Sequence, residues 1–366
     1  MLLKFAVKNY RGFAERIELD LTKHSNYEFN QHVICDGIIK NGIIYGPNGS
    51  GKTNFSLAIF DIVHHLTEKN QQLKIYYEKN FINGFETDKL VEFYYEFKFG
   101  KNIVKYEYKK NALAILVYEK MEVNDKVIFE NDKGKLTLDN NEFHLPPQII
   151  KMLTKNVNSV SIIRLLYNTV PLRANHYLVK LQNFVDSMLW FRGLRQNEYV
   201  GFTIGGTNLI EFIVSNNLEK DFETFLREVS GQNFEFTSDK SQKALFCDKS
   251  KKVRFESIIS TGTESLLLLY YWTKSFEKAS FVFIDEFDAF YHYRLSYEIC
   301  KRLFKAKTQL FLSTHNTHLM TNDLLRPDCN FILDKNMIKP ICDCTEKELR
   351  EGHNIEKLYR GNTFEV

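Results

Sequence analysis

A glycine-rich segment ending in lysine and threonine has the residue types that bind phosphate. Residues 46–53 read Gly-Pro-Asn-Gly-Ser-Gly-Lys-Thr and match G-x-x-x-x-G-K-[ST] at every fixed position. Glycines let consecutive backbone N–H groups turn inward and form an anion-binding concavity. Lys52 would contact the β- and γ-phosphates of a nucleotide, and Thr53 would offer a hydroxyl to Mg²⁺. The candidate nucleotide-binding residues are Gly46, Asn48, Gly49, Ser50, Gly51, Lys52, Thr53 and Asn54.

The residues around this phosphate loop (residues 46–53) supply the elements that such a site needs. Residues 42–45 are a short apolar run that predicts a strand, and residues 54–66 carry apolar side chains at helical spacing. A helix beginning after the loop adds its free N–H groups and the positive end of its dipole. The alternative is a glycine-rich β-to-α turn with a chance Lys-Thr pair. Strand, loop and helix together favour binding of a nucleoside triphosphate.

Two acidic residues end a second apolar run. Residues 281–286 read Phe-Val-Phe-Ile-Asp-Glu, which predicts a buried strand with carboxylates at its end. At the carboxyl end of a parallel strand, Asp285 would lie beside the phosphate loop and hold Mg²⁺ or its waters. Glu286 would face the γ-phosphate as the base or orienter of an attacking water. Two adjacent surface acids are the alternative, but unpaired acids at the end of a buried strand would be costly.

Two further segments carry weaker signals. Residues 309–315 form another apolar strand pattern that ends in Thr-His, and His315 could donate a hydrogen bond to the γ-phosphate. A lone histidine, however, is more often a structural residue. Residues 259–264 read Ile-Ser-Thr-Gly-Thr-Glu before an apolar helix, so Ser260 and Gly262 open a second anion-ready helix N-terminus. Alone this would be an ordinary helix cap, but its position shortly before the acidic strand favours a functional role.

Length and composition allow one large domain or two. The chain has 366 residues, of which 44% are hydrophobic, enough to bury a sizeable core. Lys and Arg number 49 against 46 Asp and Glu, so the net charge of +3 does not by itself indicate nucleic acid. A signal-peptide pattern is missing at the N-terminus, and the longest apolar run, residues 266–272, is too short for a bilayer. We therefore expect a cytoplasmic protein without a membrane partner.

The six cysteines are scattered without the C-x-x-C spacing of common metal sites. Cys342, Cys344 and His353 are close enough in sequence to suggest a metal site. Lone cysteines in a cytosolic protein are usually small buried apolar residues, and we favour that interpretation. The pattern is natural in a reducing compartment.

Strand patterns dominate the first 144 residues. Residues 1–21 alternate apolar and polar side chains on either side of a turn. A polar connector at residues 67–88 precedes β-biased segments separated by turn residues, which predict an antiparallel meander over 91–99, 103–108, 113–119, 126–129 and 135–138. The many aromatic side chains there could stack on bases. Sheet packing is the more usual role of aromatics in strands, and we favour it.

Between residues 146 and 230 the apolar spacing becomes helical. One run extends from residue 178 through Leu189, and residues 208–229 form another amphipathic pattern. Arg192 and Arg195 end the first run and could contact phosphate, although the helix dipole alone favours basic residues there.

Strand patterns return in residues 231–256, which contain the densest basic region of the chain: Lys240, Lys243, Lys249, Lys251, Lys252 and Arg254. For this basic segment (residues 240–254) we favour a solvated hairpin face over a contact with nucleic acid or an acidic partner.

The order of these motifs resembles that of the ABC-type ATPases of the SMC/RecF/OLD branch, over roughly residues 1–60 and 255–320. Residues 7–13 look like the family's opening strand and turn. Residues 285–292 resemble its Asp-Glu-…-Leu-His-Pro segment, with Tyr293 in place of the proline. Residues 259–263 stand where the family has its Leu-Ser-Gly-Gly-Gln signature, and Ser260 and Gly262 are the positions that correspond. Gln148 and Gln182 are candidates for the family's Q-loop glutamine.

The resemblance implies an α/β fold, an ABC-type P-loop ATPase head with a mixed-sheet core, an antiparallel β subdomain and a compact helical insertion. We assign residues 1–144 to the N-terminal part of the head, 145–230 to the insertion, and 231–366 to the C-terminal part of the head. Members of the family sandwich two ATP molecules between two heads. Ser260 and Gly262 of one chain would then face Lys52, Thr53, Asp285 and Glu286 of a second chain.

Two functions fit this ATP cycle. In the first, the chain resembles the compact phage-defence ATPases of the abortive-infection, PARIS-like and Septu-like groups, in which ATP-driven dimerisation regulates an effector. Too few residues follow His315 for an appended TOPRIM nuclease, so we expect the effector to be a separate protein. In the second, the chain is a RecF-like DNA-binding protein of DNA repair or maintenance, with the basic segment contacting DNA.

Overall fold

Two seven-stranded sheets, one antiparallel and one mixed, organise the part of the chain that the structure describes. The structure is a computed structural model, and it describes residues 1–69, 81–84, 90–156, 160–193, 198–201, 208–335 and 337–364. In chain order the strands are β1 (Leu2–Lys8), β2 (Ile17–Asp20), β3 (Ile34–Cys35), β4 (Ile38–Ile39), β5 (Asn41–Tyr45), β6 (Leu90–Phe99), β7 (Asn102–Asn111), β8 (Leu116–Val123), β9 (Lys126–Asp132), β10 (Lys135–Leu138), β11 (Met188–Arg192), β12 (Tyr199–Gly201), β13 (Thr237–Asp239), β14 (Ala244–Phe246), β15 (Phe281–Asp285), β16 (Gln309–Thr314), β17 (Asn330–Asp334) and β18 (Met337–Pro340).

Six of the described helices lie between β10 and β13 in the sequence. In chain order the helices are α1 (Lys52–Ile59), α2 (Asp61–Leu66), α3 (Asn140–Phe143), α4 (Pro147–Asn156), α5 (Ile162–Thr169), α6 (Tyr177–Asp186), α7 (Leu209–Ser215), α8 (Glu219–Ser230), α9 (Thr261–Thr273), α10 (Tyr293–Leu303) and α11 (Ile355–Arg360). Among the described residues, no helix is long and apolar enough to cross a membrane.

The antiparallel sheet turns an aromatic face toward the core. Its strand order is β10-β9-β8-β7-β6-β1-β2, and buried residues alternate with partly exposed ones along β6 and β7. Successive side chains of a strand point to opposite faces, which gives this period of two. Phe93, Tyr95 and Tyr106 on the inner face are at most 1% exposed. The predicted meander is therefore confirmed, and these rings pack within the protein, where bases cannot stack on them.

The mixed sheet brings the predicted site strands side by side. Its order is β12-β11-β15-β16-β5-β17-β18, and the five strands from β11 to β17 run parallel. β5, β15 and β16 are buried along their whole length, as expected for parallel strands covered on both faces. Parallel neighbours share one carboxyl edge. The residues that follow β5, β11, β15 and β16 therefore meet at the same edge of this sheet.

Helix α1 is held between the two sheets. The ring of Phe55 in α1 meets that of Phe5 in β1 edge-on, with centroids 5.6 Å apart. On the other side, Trp190 in β11 donates from Nε1 to Ser56 Oγ at 2.9 Å. These contacts fix the helix that begins at the end of the phosphate loop.

The helical pattern predicted to run through Leu189 is wrong at its end. Helix α6 stops at Asp186, and Met188–Arg192 forms β11 beside β15. The apolar residues 188–191 are all buried, and spacing alone does not distinguish such a short run from a buried helix. Arg192 therefore ends a strand and is not a residue of a last helical turn. Arg195 lies outside the described residues.

Two other segments that were each predicted as one helix form two helices each. Residues 54–66 divide into α1 and α2, and residues 208–229 divide into α7 and α8.

The α/β class with a mixed sheet and an antiparallel subdomain is confirmed. The segment 145–230 is not purely helical, because it supplies β11 and β12 to the mixed sheet. The division of the chain at residues 144 and 230 stays a prediction.

Candidate nucleotide site

The phosphate loop connects the end of β5 to the start of α1, as the sequence predicts. Its backbone needs glycine at two positions for different reasons. Gly51 has φ of 98°, a left-handed conformation that side chains disfavour, and it caps α1. At Gly46, a Cβ atom would lie 2.4 Å from the carbonyl oxygen of Leu333 in β17. The loop is therefore held close to the sheet, with the N-terminus of α1 at its end.

Lys52 folds back over the loop that precedes it. Its ammonium group donates to the carbonyl of Gly46 at 2.7 Å and to that of Pro47 at 3.1 Å. It also lies 3.2 Å from Nδ1 of His315. Burial lowers the pKa of Lys52 to about 8, against the opposing effect of the charges of Asp285 and Glu286. Burial and the nearby Lys52 charge also lower the pKa of His315 below its ordinary value.

The two predicted metal ligands are in direct contact. Thr53 donates from Oγ1 to Oδ2 of Asp285 at 2.8 Å, which joins the start of α1 to the end of β15. Asp285 is fully buried, and its other oxygen, Oδ1, accepts from Ser313 Oγ at 2.6 Å. The same serine oxygen accepts from the backbone N–H of Glu286 at 2.9 Å. Ser313, a residue of β16, therefore fixes both acidic residues at once.

Arg192 binds both predicted metal ligands through its guanidinium group. Nε lies 3.2 Å from Asp285 Oδ2, and Nη2 donates to Thr53 Oγ1 at 3.2 Å. Nη1 donates to Glu198 Oε2 at 3.3 Å, and Nη2 lies 4.0 Å from Glu286 Oε1. Burial opposes the guanidinium charge, but these three carboxylates together raise the pKa of Arg192.

Sequence reasoning missed this position because it treated Arg192 as the end of a helix. The parallel register pairs Arg192 directly with Asp285, so both side chains emerge at the same edge. A usable signal was present in the sequence. Residues 188–191 are an apolar run followed by a charged residue, which is also the pattern of β15.

Glu286 and His315 face a shared cleft of about 650 Å³ that Asn48 and Tyr293 also line. Glu286 has φ of 47°, the left-handed conformation that is uncommon for residues with side chains. This turn directs the residue out of β15 while its backbone stays bound to Ser313. The structure thus brings the phosphate loop, both acids and the predicted histidine together at one sheet edge.

Ser260 and Gly262 lie at the N-terminus of α9. Ser260 is exposed and caps this helix by accepting from the backbone N–H of Thr263 at 3.2 Å. In the residues that the structure describes, Ser260 forms no hydrogen bond to the phosphate loop. A Cβ on Gly262 would lie 3.2 Å from the carbonyl of Phe290. The segment is accessible from outside the chain.

The remaining predicted residues are distributed as follows. Asn54 accepts from Arg11 Nη1 at 3.0 Å, which ties α1 to the turn after β1. Gln182, one Q-loop candidate, donates to Asp186 on α6 and lines a cleft with Thr67 and Lys69. Gln148 lies on α4, so neither glutamine belongs to the site strands.

The donor set fits a magnesium nucleotide. Thr53 and Asp285 offer oxygen ligands, the type that Mg²⁺ prefers, and Mg²⁺ is usually held by one or two such residues together with phosphates. Ser50 Oγ is buried and has no hydrogen-bond partner among the described residues, as expected of a group that awaits a ligand. No cluster of three or more His, Cys, Asp or Glu residues able to hold a metal ion occurs in the described ranges, so the Cys342 and Cys344 pair gains no support as a metal site.

Comparison with known structures gives similarities of low sequence identity. The SMC head domain from Thermotoga maritima is 15% identical with a TM-score of 0.45, covering 93% of this chain and 98% of the other. An SMC head bound to the C-winged helix domain of ScpA is 12% identical with a TM-score of 0.48, covering 93% and 97%. The recombination mediator RecF of the RecFOR pathway is 13% identical with a TM-score of 0.40, covering 93% and 97%.

A comparison with curated proteins found no significant match. In contrast, the model of the family described as "AAA domain, putative AbiEii toxin, Type IV TA system" matches residues 43–321, well over half of the chain. The match begins in β5 and includes the phosphate loop, β11, α9, β15 and β16. The chain thus belongs to this AbiEii-type family of AAA domains.

Proposed function

We propose that the chain binds and hydrolyses ATP with Mg²⁺, and that nucleotide-driven dimerisation regulates an effector protein in bacterial defence against phage. The observation that carries the first part is the contact between Thr53 and Asp285, 2.8 Å apart and 232 positions apart in sequence. This contact joins the phosphate loop to an acidic strand. Such a pairing is the arrangement that P-loop ATPases use to hold the metal of their nucleotide.

Each residue of the site has a role that its position supports. The N–H groups of the loop and of α1 would bind the β-phosphate, and Lys52 would leave its carbonyl partners for the phosphate oxygens. Thr53 and Asp285 would hold Mg²⁺, which neutralises developing charge on the phosphates when it is bound. Glu286 would orient the attacking water and accept its proton, and His315 would donate a hydrogen bond to the γ-phosphate.

We propose dimerisation because the candidate signature residues form no hydrogen bond to the phosphate loop of their own chain among the described residues. Ser260 and Gly262 open α9 on an exposed surface, whereas the phosphate loop lies at the carboxyl edge of the mixed sheet. A second copy could place its α9 N-terminus against a nucleotide held by the first. Because ATP would then bind both chains at once, association would depend on nucleotide occupancy.

Analytical ultracentrifugation of Glu286→Gln with and without Mg·ATP tests this proposal. The variant keeps the binding groups but lacks the carboxylate that activates water, so we expect it to accumulate as a dimer when ATP is present. Adding Lys52→Ala to the same chain is the control, since it should remain monomeric. A monomer that demonstrably holds ATP at saturating concentration would contradict the proposal.

The defence role rests on the family description, which names a toxin of a type IV TA system, and on the resemblance stated above. We propose a cytoplasmic protein whose separate effector, expected to be a nuclease, responds to the assembly state. Co-purification from a host that carries the neighbouring genes tests it. An effector retained by wild type but lost from Lys52→Ala would support the role, and no retained protein with either chain would count against it.

The alternative is an ATP-dependent DNA-binding function like that of RecF, and one observation favours it. In the basic segment Lys243 and Lys251 pair with acidic residues, but Lys240, Lys249 and Lys252 are exposed and form no ion pair among the described residues. Three such charges could neutralise phosphates of a DNA backbone. We expect, for this function, DNA binding that requires ATP and weakens with salt. Replacing the three lysines by glutamine should make the slope of log K (the DNA-binding constant) against log salt concentration less negative by about 2.7.

A further inference from the structure

We propose that the Arg192 guanidinium occupies the metal site as a positive charge and must leave Thr53 and Asp285 before Mg²⁺ can bind there. The inference rests on the proposed function, which assigns Thr53 and Asp285 as metal ligands. It adds a control step: the chain's own guanidinium holds the metal site closed and links metal entry to a movement at the end of β11.

Asp285 is a buried carboxylate whose charge has to be balanced by its neighbours. A carboxylate with no exposure needs charged or strong hydrogen-bond partners, because an unpaired buried charge is costly. Thr53 and Ser313 offer neutral hydroxyl donors to it. Arg192 adds a cationic N–H at 3.2 Å, and hydrogen bonds that involve ionised groups are the stronger ones.

Arg192 and a metal ion would contact the same oxygen atoms, Thr53 Oγ1 and Asp285 Oδ2. The Thr53 hydroxyl gives its proton to Asp285 and accepts from Nη2 of Arg192. A metal ligated by Thr53 and Asp285 would have to approach the two oxygens, Oγ1 and Oδ2, that the Arg192 guanidinium now contacts at 3.2 Å. A guanidinium group stays protonated in proteins, so Arg192 has no neutral form that could share the site with a dication. Because the two cations would repel each other at this short distance, we expect the metal ion to replace the guanidinium.

Arg192 has a second carboxylate partner, Glu198, toward which its side chain could rotate. Its side chain is 25% exposed, and its outer nitrogen Nη1 already pairs with Glu198, at the start of the segment that leads into β12. Rotation toward Glu198 would keep one ion pair and release Thr53 and Asp285. The same movement would take Nη2 away from Glu286, which lies 4.0 Å from it. Metal entry would thereby also free the carboxylate that we assign to water activation.

Binding of Mn²⁺ alone, measured by electron paramagnetic resonance of the free ion without nucleotide, tests the proposal. We expect Arg192→Gln to bind Mn²⁺ at least about tenfold more tightly than wild type, because a competing charge in contact is removed. Arg192→Lys keeps a charge but loses the planar fork, so its affinity should rise by about threefold. Arg164→Gln is the matched control, since Arg164 is 24% exposed and pairs with Glu68, and should bind Mn²⁺ like wild type.

Thermal unfolding in EDTA accompanies each titration. We expect Arg192→Gln to melt below wild type in EDTA and to regain more stability than wild type when Mn²⁺ is added. If Arg192→Gln does not fold, the Mn²⁺ affinity of Arg192→Lys tests the proposal instead. Tighter Mn²⁺ binding than wild type supports the exchange, and equal or weaker binding overturns it.

Different results would overturn the exchange at Arg192 and the proposed ATP-binding function. Unchanged Mn²⁺ affinity in both Arg192 variants, with ATP binding intact in wild type, overturns the exchange and leaves the proposed function standing. Tighter Mn²⁺ binding in Arg192→Gln, with no ATP binding by wild type, supports the exchange and overturns the proposed function.

Discussion

Lys52 shows how a single residue is prepared for an anionic ligand. Its ammonium group is buried and is satisfied by two carbonyls of its own loop, those of Gly46 and Pro47. Burial disfavours the charged form and lowers the pKa to about 8. A polyphosphate placed beside the loop would favour the charged form and raise the pKa again. Protonation of Lys52 and binding of nucleotide are therefore linked.

We expect ATP binding in EDTA at pH 8 to take up about half a proton per chain, because Lys52 is half protonated there and becomes fully protonated in the complex. The uptake should vanish at pH 6, where Lys52 already carries its proton. As the pH rises above 8, ATP affinity should fall. Calorimetry in two buffers of different ionisation enthalpy measures the uptake. Lys52→Arg carries a permanent charge and should take up no proton, so the same uptake in that variant would contradict the assignment.

Glu286 is the residue on which hydrolysis should depend. Its left-handed backbone and its N–H bond to Ser313 hold it at the end of β15, facing the cleft. Glu286→Gln should lower the single-turnover rate of ATP hydrolysis about 10²- to 10⁴-fold, the usual contribution of a general base, while ATP affinity changes little. Glu228→Gln, at an exposed ion pair with Arg302, is the control and should hydrolyse ATP at the wild-type rate. A Glu286→Gln rate close to wild type would remove Glu286 from its role.

At the scale of elements, the site depends on parallel strands that end in register. The side chain of Ser313 in β16 bridges to β15 twice, as donor to Asp285 and as acceptor from the N–H of Glu286. This connection sets the direction in which both acidic residues leave the sheet. The strand ends therefore act as one unit.

Ser313→Ala should lower the free energy of unfolding by about 1–3 kcal/mol, because it leaves a buried carboxylate oxygen and a partly buried N–H without their partner. It should also weaken Mg²⁺-dependent ATP binding more than binding in EDTA, since Asp285 loses its orientation. Urea unfolding and calorimetry measure the two effects. Ser257→Ala, at an exposed serine, serves as the control and should change stability by less than about 0.5 kcal/mol. Equal stabilities of the two variants would contradict this account.

The elements also explain what the sequence could and could not predict. The phosphate loop and β15 were predictable because each is a local pattern with its own chemistry, glycines before Lys-Thr and an apolar run before two acids. Strand β11 was not, because residues 188–191 continue the apolar spacing of α6 and become a strand by pairing with β15. The role of Arg192 depends on that pairing. The apolar run before a charged residue is a signal for a strand end, but the partner of Arg192 became known only from the register with Asp285.

At the scale of the whole molecule, we propose that two groups of residues bind one ligand from two copies of the chain. The carboxyl edge of the mixed sheet gathers Lys52, Thr53, Asp285 and Glu286, and the N-terminus of α9 presents Gly262 and the exposed Ser260. A free helix N-terminus is suited to an anion, and the γ-phosphate of a nucleotide bound to another copy is the anion that we propose. On this account the complete site forms when two copies meet.

Complementation between two defective chains tests this central claim most directly. One chain carries Lys52→Ala and the other Ser260→Arg, both with Glu286→Gln to prevent turnover, and each is labelled with a different fluorophore. Energy transfer should report ATP-dependent association of the mixed pair, because the phosphate loop of the second chain meets the intact α9 of the first. Neither variant should associate with itself. A mixed pair that associates no more strongly than either variant alone would contradict the shared site.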